Sequence, residues 1–494
     1  MTQRRIVLAV LAAAWCMAGV AHPAGAQDSP ALPPGLAEDK TEADGNGPSL
    51  PEGLGGDEPA GPDLPSGLEE TDSSDAPADQ DQPPEKPLVP DWLDFSGFWE
   101  ARTGVRTQDD PYQDDISMAE TRLQVDLQTV WQEATWKLVA DFVYDPVLDG
   151  HAVDLERGEG WLDLRQANVL FSPTEFMDVK IGRQILTWGT GDLLFLNDNF
   201  PKDWQFYFIG RKVEYLKAPS DAAKFSIFTD VVNVDFVYTP QFDADRSVTG
   251  QRLSYWNSLL LRRAGEDAVI DADRPNRWFR DDEFALRVHK TIEGIELAGY
   301  GYWGYWKRPL GVRLSNMRPY FPNLNVYGVS VRGSLYGGVA NFEGAYYDSP
   351  EDRGGEDPFV PNSEIRLLAG YTRDLPELMQ DFSVGVQYYV EWMMNHDEYR
   401  RTLPPNTPAA DRVRHLLTFR LTKLLMNQNL ELSLFAYFSP SDQDAYLRPY
   451  VSYKIDDHWT VDFGGNVMFG KYDHTFFGQL ERNSNVYFGI RYAW

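Results

Sequence analysis

Cysteine, basic residues and long apolar runs are all scarce in this sequence of 494 residues. Its one cysteine, Cys16, lies in an N-terminal apolar run, so a mature chain without that run has no disulfide bond and no thiol chemistry. Lys and Arg number 45 against 75 Asp and Glu, and this acidity excludes general nucleic-acid binding through a basic surface. After the first segment, no stretch approaches the roughly 20 apolar residues that a membrane-spanning helix needs.

Residues 1–26 have the pattern of a secretory signal peptide. Arg4 and Arg5 precede an apolar run that begins at Ile6, and the triplet 24–26, Ala-Gly-Ala, provides a small-residue cleavage site. The run is too short to cross a membrane as a helix. The sequence therefore predicts an exported protein.

Residues 27–92 are predicted to form a disordered acidic tail. The segment is rich in Pro and Gly and has 17 acidic residues against Lys40 and Lys86. A Leu-Pro-x-Gly-Leu pattern occurs three times and contains most of the large apolar residues of the tail. A low-complexity spacer is one interpretation, and a set of docking motifs for a periplasmic partner is the other. The leucines of these motifs are Leu32, Leu36, Leu50, Leu54, Leu64 and Leu68.

From residue 93 onward, apolar and polar residues alternate, which indicates β-strands. Residues 123–127 and 382–392 show this period of two clearly. Nine long connections, acidic or rich in Pro and Gly, alternate with eight short turns and separate 18 predicted strands. The least regular of these strands are predicted near 159–171 and 208–219.

This order of connections predicts an all-β fold, namely an 18-stranded antiparallel transmembrane β-barrel over residues 93–494, with 16 strands as the alternative. Outer-membrane barrels have short periplasmic turns and long external loops, so both ends of the domain and the tail should be periplasmic. A soluble β-sandwich shows the same alternation, but it has no reason to alternate long and short connections. We therefore predict a location in the outer membrane of a Gram-negative cell. The predicted connections include a short turn near 219–223 and a long connection near 439–445.

The last strand ends on an aromatic residue and has apolar residues at every second position, as in the C-terminal signal that outer-membrane assembly machinery reads. In a soluble protein such a strand would be an exposed, aggregation-prone edge. The predicted assembly signal consists of Val486, Phe488, Ile490, Tyr492 and Trp494.

If the apolar set of each strand faces lipid, the other set lines the lumen, where charge is tolerated. Fourteen Lys and Arg side chains fall on this inner set, against eight acidic ones. The predicted lumen acids are Glu100, Asp126, Asp141, Glu214, Glu343, Glu391, Glu431 and Asp462. A ladder of structural salt bridges is one interpretation, and a basic conduit that favours anionic solutes is the other. The arginines predicted to line the solute path are Arg102, Arg122, Arg165, Arg183, Arg287, Arg332, Arg366, Arg420, Arg448 and Arg491.

The long connection at 186–208 is too apolar for a loop that lies wholly in water. We predict that it, or the connection at 239–282, folds into the barrel as a constriction. The side chains predicted to form this constriction are Trp188, Asp192, Phe195 and Trp204.

Two short motifs carry a family resemblance. Residues 180–184, Lys-Ile-Gly-Arg-Gln, followed by 188–192, Trp-Gly-Thr-Gly-Asp, resemble the strand and Gly-Asp loop of the alginate-export and substrate-specific porin group of outer-membrane barrels. The Arg-x-Phe-Asp-Gly element associated with alginate exporters is absent from the sequence. The resemblance implies transport and does not specify the solute.

The predicted function is an outer-membrane channel, a porin or exporter, that passes small or polymeric, anionic solutes without a cofactor. An outer-membrane partner of a periplasmic lipid or polymer transport machine is the alternative. Outer-membrane lipid, lipopolysaccharide and the barrel assembly machinery are the expected partners, with a periplasmic protein if the tail docks one. No enzymatic or metal site is predicted, because the histidines lack metal-ligand spacing and have only ordinary acidic neighbours. They are His151, His289, His396, His415, His458 and His474.

Overall fold

The computed structural model describes Pro90, residues 92–147 and residues 152–494. The predicted signal peptide, nearly all of the acidic tail and the three leucine repeats lie outside the described residues. These three features therefore stay predictions. The remainder of the chain is a β-structure with a few short helical turns.

Eighteen antiparallel strands form a single sheet in which the first strand pairs with the last, from Phe98 opposite Ala493 to Arg106 opposite Asn485. The prediction of an all-β, 18-stranded antiparallel barrel is confirmed. In chain order the strands of this barrel are β1 (Leu93–Arg106), β2 (Ile116–Trp131), β3 (Ala134–Tyr144), β4 (Leu162–Thr174), β5 (Met177–Ile185), β6 (Pro219–Ile227), β7 (Asn233–Thr239), β10 (Glu283–Ile292), β11 (Ile295–Tyr305), β14 (Asn323–Leu335), β15 (Gly338–Asp348), β16 (Glu364–Asp374), β17 (Phe382–Met393), β18 (Val413–Leu425), β19 (Leu430–Ser439), β20 (Asp444–Lys454), β21 (Trp459–Gly470) and β22 (Asn485–Ala493).

Two small hairpins lie in the connections between barrel strands. One consists of β8 (Tyr255–Asn257) and β9 (Arg262–Ala264), the other of β12 (Gly311–Arg313) and β13 (Arg318–Tyr320). The helices are short: Trp204–Ile209 and His396–Thr402 are α-helical, and Val213–Leu216, Glu266–Ala268 and Gly478–Asn483 are 3-10 turns. None of the helices in the described part of the chain is long and apolar enough to cross a membrane.

The alternation of residue types explains the two faces of the barrel wall. On β1, the side chains of Trp99 and Val105 are exposed on the outside, whereas Glu100 and Arg102 are buried on the inside. Because successive side chains of a strand point to opposite faces, the same pattern repeats around the barrel. The result is an apolar outer belt, which suits a barrel in lipid, around an inner face on which charged side chains are buried.

The connections alternate between long and short, as predicted, with two differences. The long ones meet one end of the barrel and the short ones the other. The first difference is that the connection between β19 and β20, predicted as a long one near 439–445, comprises only residues 440–443. The short connections are 132–133, 175–176, 228–232, 293–294, 336–337, 375–381, 426–429 and 455–458.

The second difference is that the prediction of a strand near 208–219 is wrong. Helix Trp204–Ile209 and a 3-10 turn occupy this stretch, and β6 begins at Pro219, where a short turn was predicted. The stretch between 219 and 239 then contains two strands, so the total stays at 18. The helix forms because Asp203 caps it by accepting a hydrogen bond from the Phe206 amide, and because five of its six residues, from Gln205 to Ile209, are buried. The strand predicted near 159–171 is confirmed as β4.

Candidate functional site

The connection between β5 and β6, residues 186–218, enters the barrel and is called the inward segment below. Its side chains and backbone make hydrogen bonds to inward-facing residues of β15, β17 and β18 on one side of the wall. Others bond to β1, β2 and β22 on the opposite side. The inward segment therefore crosses the interior from wall to wall.

A single buried carboxylate holds the first half of the inward segment. Glu343, on the inner face of β15, has no exposed surface. Its Oε1 accepts hydrogen bonds from the amides of Thr190 and Gly191, the latter at 2.8 Å, and from the Thr190 hydroxyl at 2.9 Å. Its Oε2 accepts one from Nδ2 of Asn197 at 2.8 Å. Carboxylate-assisted hydrogen bonds are among the stronger ones in proteins, so Glu343 is the principal anchor of this half.

Asp192 provides the second anchor of this half. Its two carboxylate oxygens accept hydrogen bonds from Nε and Nη2 of Arg420 on β18, at 2.5 and 2.6 Å. The Asp192 backbone also exchanges two hydrogen bonds with the side-chain amide of Gln387 on β17. A bidentate guanidinium–carboxylate pair fixes orientation as well as distance. This half is thereby tied to three strands of the wall.

The second half of the inward segment is tied to the opposite side. The Arg211 guanidinium lies over the Phe206 ring at 3.2 Å and donates to Glu120 on β2. The Phe208 carbonyl accepts from Nδ2 of Asn485 on β22 at 3.1 Å. Helix Trp204–Ile209 ends at Gly210, whose φ of 106° lies in the left-handed region that favours glycine.

The next long connection, residues 240–282, contacts this helix and the residues directly before it. The Arg246 guanidinium donates to Asp163 of β4 and to Asp203, the N-cap of the helix. The Asp245 carboxylate accepts from the backbone amide of Lys202 and from the indole N–H of Trp204. Both connections that were predicted as candidate constrictions therefore contact each other.

Apolar side chains fill the space around these polar anchors. Helix residues Phe206 to Ile209 pack with inward-facing side chains of β16 to β22, including Tyr437 and Tyr446. On the other side, Leu186 and Trp188 pack with β6 to β15. The inward segment is thus part of a packed layer and not a loose loop.

The four side chains predicted to form the constriction all lie in or beside this layer. Trp188 is buried edge-on against Phe200, with ring centroids 4.9 Å apart. Phe195 and Trp204 meet edge-on at 5.9 Å. Asp192 forms the bidentate pair described above. The structure therefore places these residues inside the barrel, while their role in solute passage stays a prediction.

A cavity of about 1420 Å³ lies next to the inward segment, on the side of the long connections. Aromatic side chains of the packed layer, among them Tyr207, Tyr389 and Tyr437, form its floor. Its lining includes residues from the connections 240–282, 306–322, 394–412, 440–443 and 471–484.

Two of the three arginines that line the cavity are neutralised by carboxylates. Arg366 pairs with Glu364 at 2.8 Å and Arg414 pairs with Asp442 at 2.6 Å. Glu391 lies between the two guanidinium groups, 3.8 Å from Arg366 and 3.1 Å from Arg414. The two arginines and the three carboxylates therefore form one connected network of ion pairs.

Arg308, the third arginine of the cavity, has no carboxylate within salt-bridge distance among the described residues. Burial lowers the pKa of Arg308, the charge of Asp245 opposes this, and the like charges of Arg366 and Arg414 lower the pKa further while Glu391 raises it. The Arg308 guanidinium is therefore a cation whose charge the protein leaves partly uncompensated.

Eight of the ten arginines predicted to line the solute path have a carboxylate within salt-bridge distance. Arg332 and Arg448 have none among the described residues, and Arg448 lies over the Tyr207 ring at 4.0 Å. Several of the partners, such as Glu120 and Glu296, are outside the predicted set of lumen acids. These ion pairs are what a bracing ladder requires, and they compensate much of the predicted positive charge. The pairs are Arg102 with Glu100 and Asp462, Arg122 with Glu120 and Asp141, Arg165 with Asp163, Arg183 with Asp221, Arg287 with Glu296, Arg366 with Glu364, Arg420 with Asp192, and Arg491 with Glu100 and Glu214.

A buried acidic group lies where the connection 240–282 meets the wall. Asp243 accepts hydrogen bonds from the Ser220 hydroxyl at 2.5 Å and from the Asp221 amide at 3.1 Å. Burial and the nearby carboxylates of Glu156 and Glu283 raise the pKa of Asp243 to about 8. The Asp243 carboxyl is therefore protonated over much of the neutral range.

The C-terminal strand closes the barrel. The Trp494 amide donates to the Gly97 carbonyl on β1 at 3.1 Å, and its ring lies 6.4 Å from that of Phe95. On β22, Val486 and Phe488 alternate with the buried residues Asn485, Tyr487 and Gly489, and Ile490 and Tyr492 continue the same face. This placement is compatible with the predicted assembly signal and does not test it.

The histidines described by the structure make individual contacts with their neighbours. His415 contacts Tyr388 through Nδ1 at 2.6 Å, and His458 contacts the Ala493 carbonyl. Within residues 92–147 and 152–494, no group of three or more His, Asp or Glu side chains is placed to hold a metal ion. His151 lies outside the described residues.

Comparison with known proteins shows likeness of structure without likeness of sequence. No known protein family matches the sequence, and no curated protein matches it. The structure resembles OccAB4 of Acinetobacter baumannii, with a TM-score of 0.50 and 8% identity over 81% of this chain and 98% of that one. It also resembles OccAB3 of the same organism, with a TM-score of 0.48 and 9% identity over 81% and 99% of the two chains.

A loop-deletion mutant of OmpT, an outer membrane protein of Vibrio cholerae, matches with a TM-score of 0.38 and 14% identity over 82% of this chain and all of that one. At these identities the likeness to OccAB4 supports the barrel fold and nothing finer. The comparisons do not confirm the predicted likeness to alginate exporters.

Proposed function

We propose that the chain is an outer-membrane channel for small solutes, narrowed in the middle by the inward segment. The observation that carries this proposal is the closed 18-strand barrel whose outside is apolar and whose inside contains a solvent cavity of about 1420 Å³ above the inward segment. An apolar outer belt suits a lipid bilayer. A channel needs no cofactor and no catalytic group.

The inward segment is the proposed constriction. It spans the interior between β15–β18 and β22–β2, so any solute that crosses the barrel must pass beside it. Its anchors are individual polar contacts, above all those of Glu343 and Asp192. Such anchors can be released without breaking the hydrogen bonds of the barrel wall, because they lie between side chains and the segment.

The proposed solutes are anionic. Arg308 supports this choice, because it lines the cavity and has no carboxylate partner among the described residues. An anion in the cavity would compensate a charge that burial has made unfavourable. The other cavity arginines contribute less, since Glu364, Glu391 and Asp442 neutralise them.

Planar-bilayer recording on the purified full chain tests the channel directly. We expect discrete ion currents, and under a salt gradient a reversal potential on the anion-selective side. Arg308→Gln should move the reversal potential towards zero, whereas Arg400→Gln, an exposed arginine on the rim helix His396–Thr402, should not. An inserted barrel that conducts nothing contradicts the channel, and a cation-selective current contradicts the anionic solute.

The same recording addresses the leucine repeats. A channel that works alone keeps its current when residues 27–92 are deleted. If transport across the membrane of living cells fails after this deletion, while the current in a bilayer is unchanged, a periplasmic partner is required. This outcome would favour the alternative role as a component of a transport machine.

A further inference from the structure

Large apolar side chains from four long connections line the cavity beside the inward segment. Four of these side chains, from the connections 240–282 and 306–322, are between 39% and 48% exposed, so part of this apolar surface faces water. We call the set of six the apolar mouth. It consists of Leu259, Leu261, Leu310, Met317, Phe359 and Leu403.

Convergence on one cavity distinguishes the apolar mouth from other exposed apolar side chains of the long connections. Trp278, Phe279 and Leu314 are between 57% and 72% exposed, but they do not line this cavity. Single exposed apolar residues are normal on protein surfaces, whereas an apolar surface that borders a concave site is typical of ligand binding. A strongly hydrated solute gains little from such a surface, so the apolar mouth indicates a ligand with an apolar part.

Two hairpins contribute to the apolar mouth in the same way. The turn of β8–β9, residues 258–261, ends at Leu261, and the turn of β12–β13, residues 314–317, ends at Met317. The φ angles of these two residues are 49° and 55°, in the left-handed region where a bulky side chain is unfavourable. Backbone strain of this kind persists where the surroundings make use of it. Both residues line the cavity, which supports a role for their side chains there.

A cation borders the same cavity. Arg308 lies in the connection that also contributes Leu310 and Met317, and it has no carboxylate within salt-bridge distance among the described residues. The guanidinium carbon of Arg308 is 5.7 Å from the centre of the Phe476 ring, and that of Arg414 is 5.3 Å from the same ring. A cation–π contact attracts a guanidinium group without neutralising its charge. Arg308 can therefore bind an anion in the cavity that the apolar mouth borders.

We propose that the cavity binds an amphiphilic anion, whose charged head pairs with Arg308 and whose apolar body packs against the apolar mouth. This ligand class uses both features, whereas a small polar anion uses only the cation and an uncharged apolar molecule uses only the mouth. Ligand pockets commonly have volumes of about 300–1,000 Å³, so a cavity of about 1420 Å³ has room for an extended apolar chain. The inference rests on the proposed anionic solute and narrows its class.

Calorimetric titration of the full chain in lipid nanodiscs tests the proposal without the need for a current. The probes are octyl sulfate, methyl sulfate, which has the same head without the chain, and octyltrimethylammonium, which has the same chain with the opposite charge. Empty nanodiscs give the heat of partition into lipid, which is subtracted. The test variants are Arg308→Gln and Met317→Ser. Leu314→Ser is the matched control, because Leu314 is exposed in the same turn as Met317 and does not line the cavity.

We expect saturable binding of octyl sulfate that is at least about tenfold tighter than that of either other probe, since each buried CH₂ group adds to the affinity. Arg308→Gln and Met317→Ser should each weaken this binding by about threefold or more, and Leu314→Ser should leave it within about twofold. Equal affinity for methyl sulfate overturns the role of the apolar mouth, and equal affinity for octyltrimethylammonium overturns that of Arg308. Heat no greater than that of empty nanodiscs, or equal losses in Met317→Ser and Leu314→Ser, overturns the site as a whole.

Planar-bilayer recording on the same preparation separates this inference from the proposed function. A barrel that conducts anions but does not bind octyl sulfate refutes the amphiphile site and leaves the channel intact. A barrel that binds octyl sulfate as expected but conducts nothing supports the site and contradicts the channel.

Discussion

Glu343 offers the sharpest test of the constriction. The substitution Glu343→Gln keeps the size of the side chain but removes its charge and replaces one acceptor oxygen with an N–H₂ group. That group faces donors of the inward segment, whether Asn197 or the Thr190–Gly191 pair. At least one of the present hydrogen bonds is therefore lost, and the remaining ones lose their charge assistance.

The expected effect can be estimated from the contacts. Hydrogen bonds to a charged group contribute about 1.5–3 kcal/mol each, so the loss of the charge together with one or two bonds weakens the anchor by roughly 3–6 kcal/mol. Since about 1.4 kcal/mol corresponds to a factor of ten in an equilibrium, the detached fraction of the segment should rise by about a hundredfold or more. The wall hydrogen bonds of β15 are not affected.

Single-channel recording and limited proteolysis detect this change. Glu343→Gln should raise the mean conductance or its fluctuations, and it should expose the inward segment to protease, while the barrel itself stays folded. Glu296→Gln is the matched control, because Glu296 faces the interior of β11 and pairs with Arg287 away from the inward segment. Unchanged conductance and unchanged protease resistance in Glu343→Gln would refute the role of this anchor and of the segment as the constriction.

Three further predictions concern other anchors. Because the pKa of Asp243 is raised to about 8 in the folded barrel, the unfolded chain loses this proton at a lower pH than the folded one. The free energy of unfolding should therefore fall by about 1.4 kcal/mol per pH unit between about pH 4 and pH 8. In urea unfolding, Asp243→Asn should flatten this decline. Gly210→Ala should lower the unfolding midpoint, with a cost of at least about 1–2 kcal/mol from the left-handed backbone and a further cost from the clash of the new methyl group with the Tyr487 ring. Asp192→Asn should increase current fluctuations by freeing Arg420, and a current indistinguishable from that of the original chain would contradict this anchor.

The wall of the barrel was predictable because its information is local. In residues 123–127 each side chain faces the side that its own polarity requires, and the register between β2 and its neighbours follows from that pattern. The alternation of long and short connections then predicted the number of strands and which connections lie at the same end of the barrel. Where the local pattern was weak, as near 208–219, the prediction failed, since a helix that is buried along most of its length has no alternation to detect.

The interior was less predictable because its contacts join distant parts of the chain. Arg211 meets Glu120 across 91 residues, and Arg420 meets Asp192 across 228. The sequence identified Glu343 as an inward-facing acid, but nothing in its neighbourhood shows that it holds Thr190 and Gly191. The apolar composition of residues 186–208 was the one signal that this segment is buried inside the barrel. It did not indicate which wall residues the segment contacts.

The route of the inward segment has a consequence for the order of assembly. Phe208 is held by Asn485, and Gly210 lies against Tyr487, both on β22, the last strand of the sheet in chain order. Helix Trp204–Ile209 can therefore reach its final packing only once β22 is in place beside β1. The filling of the interior is thus tied to the closure of the wall, and we expect substitutions at Asn485 or Tyr487 to delay the maturation of the barrel as a whole.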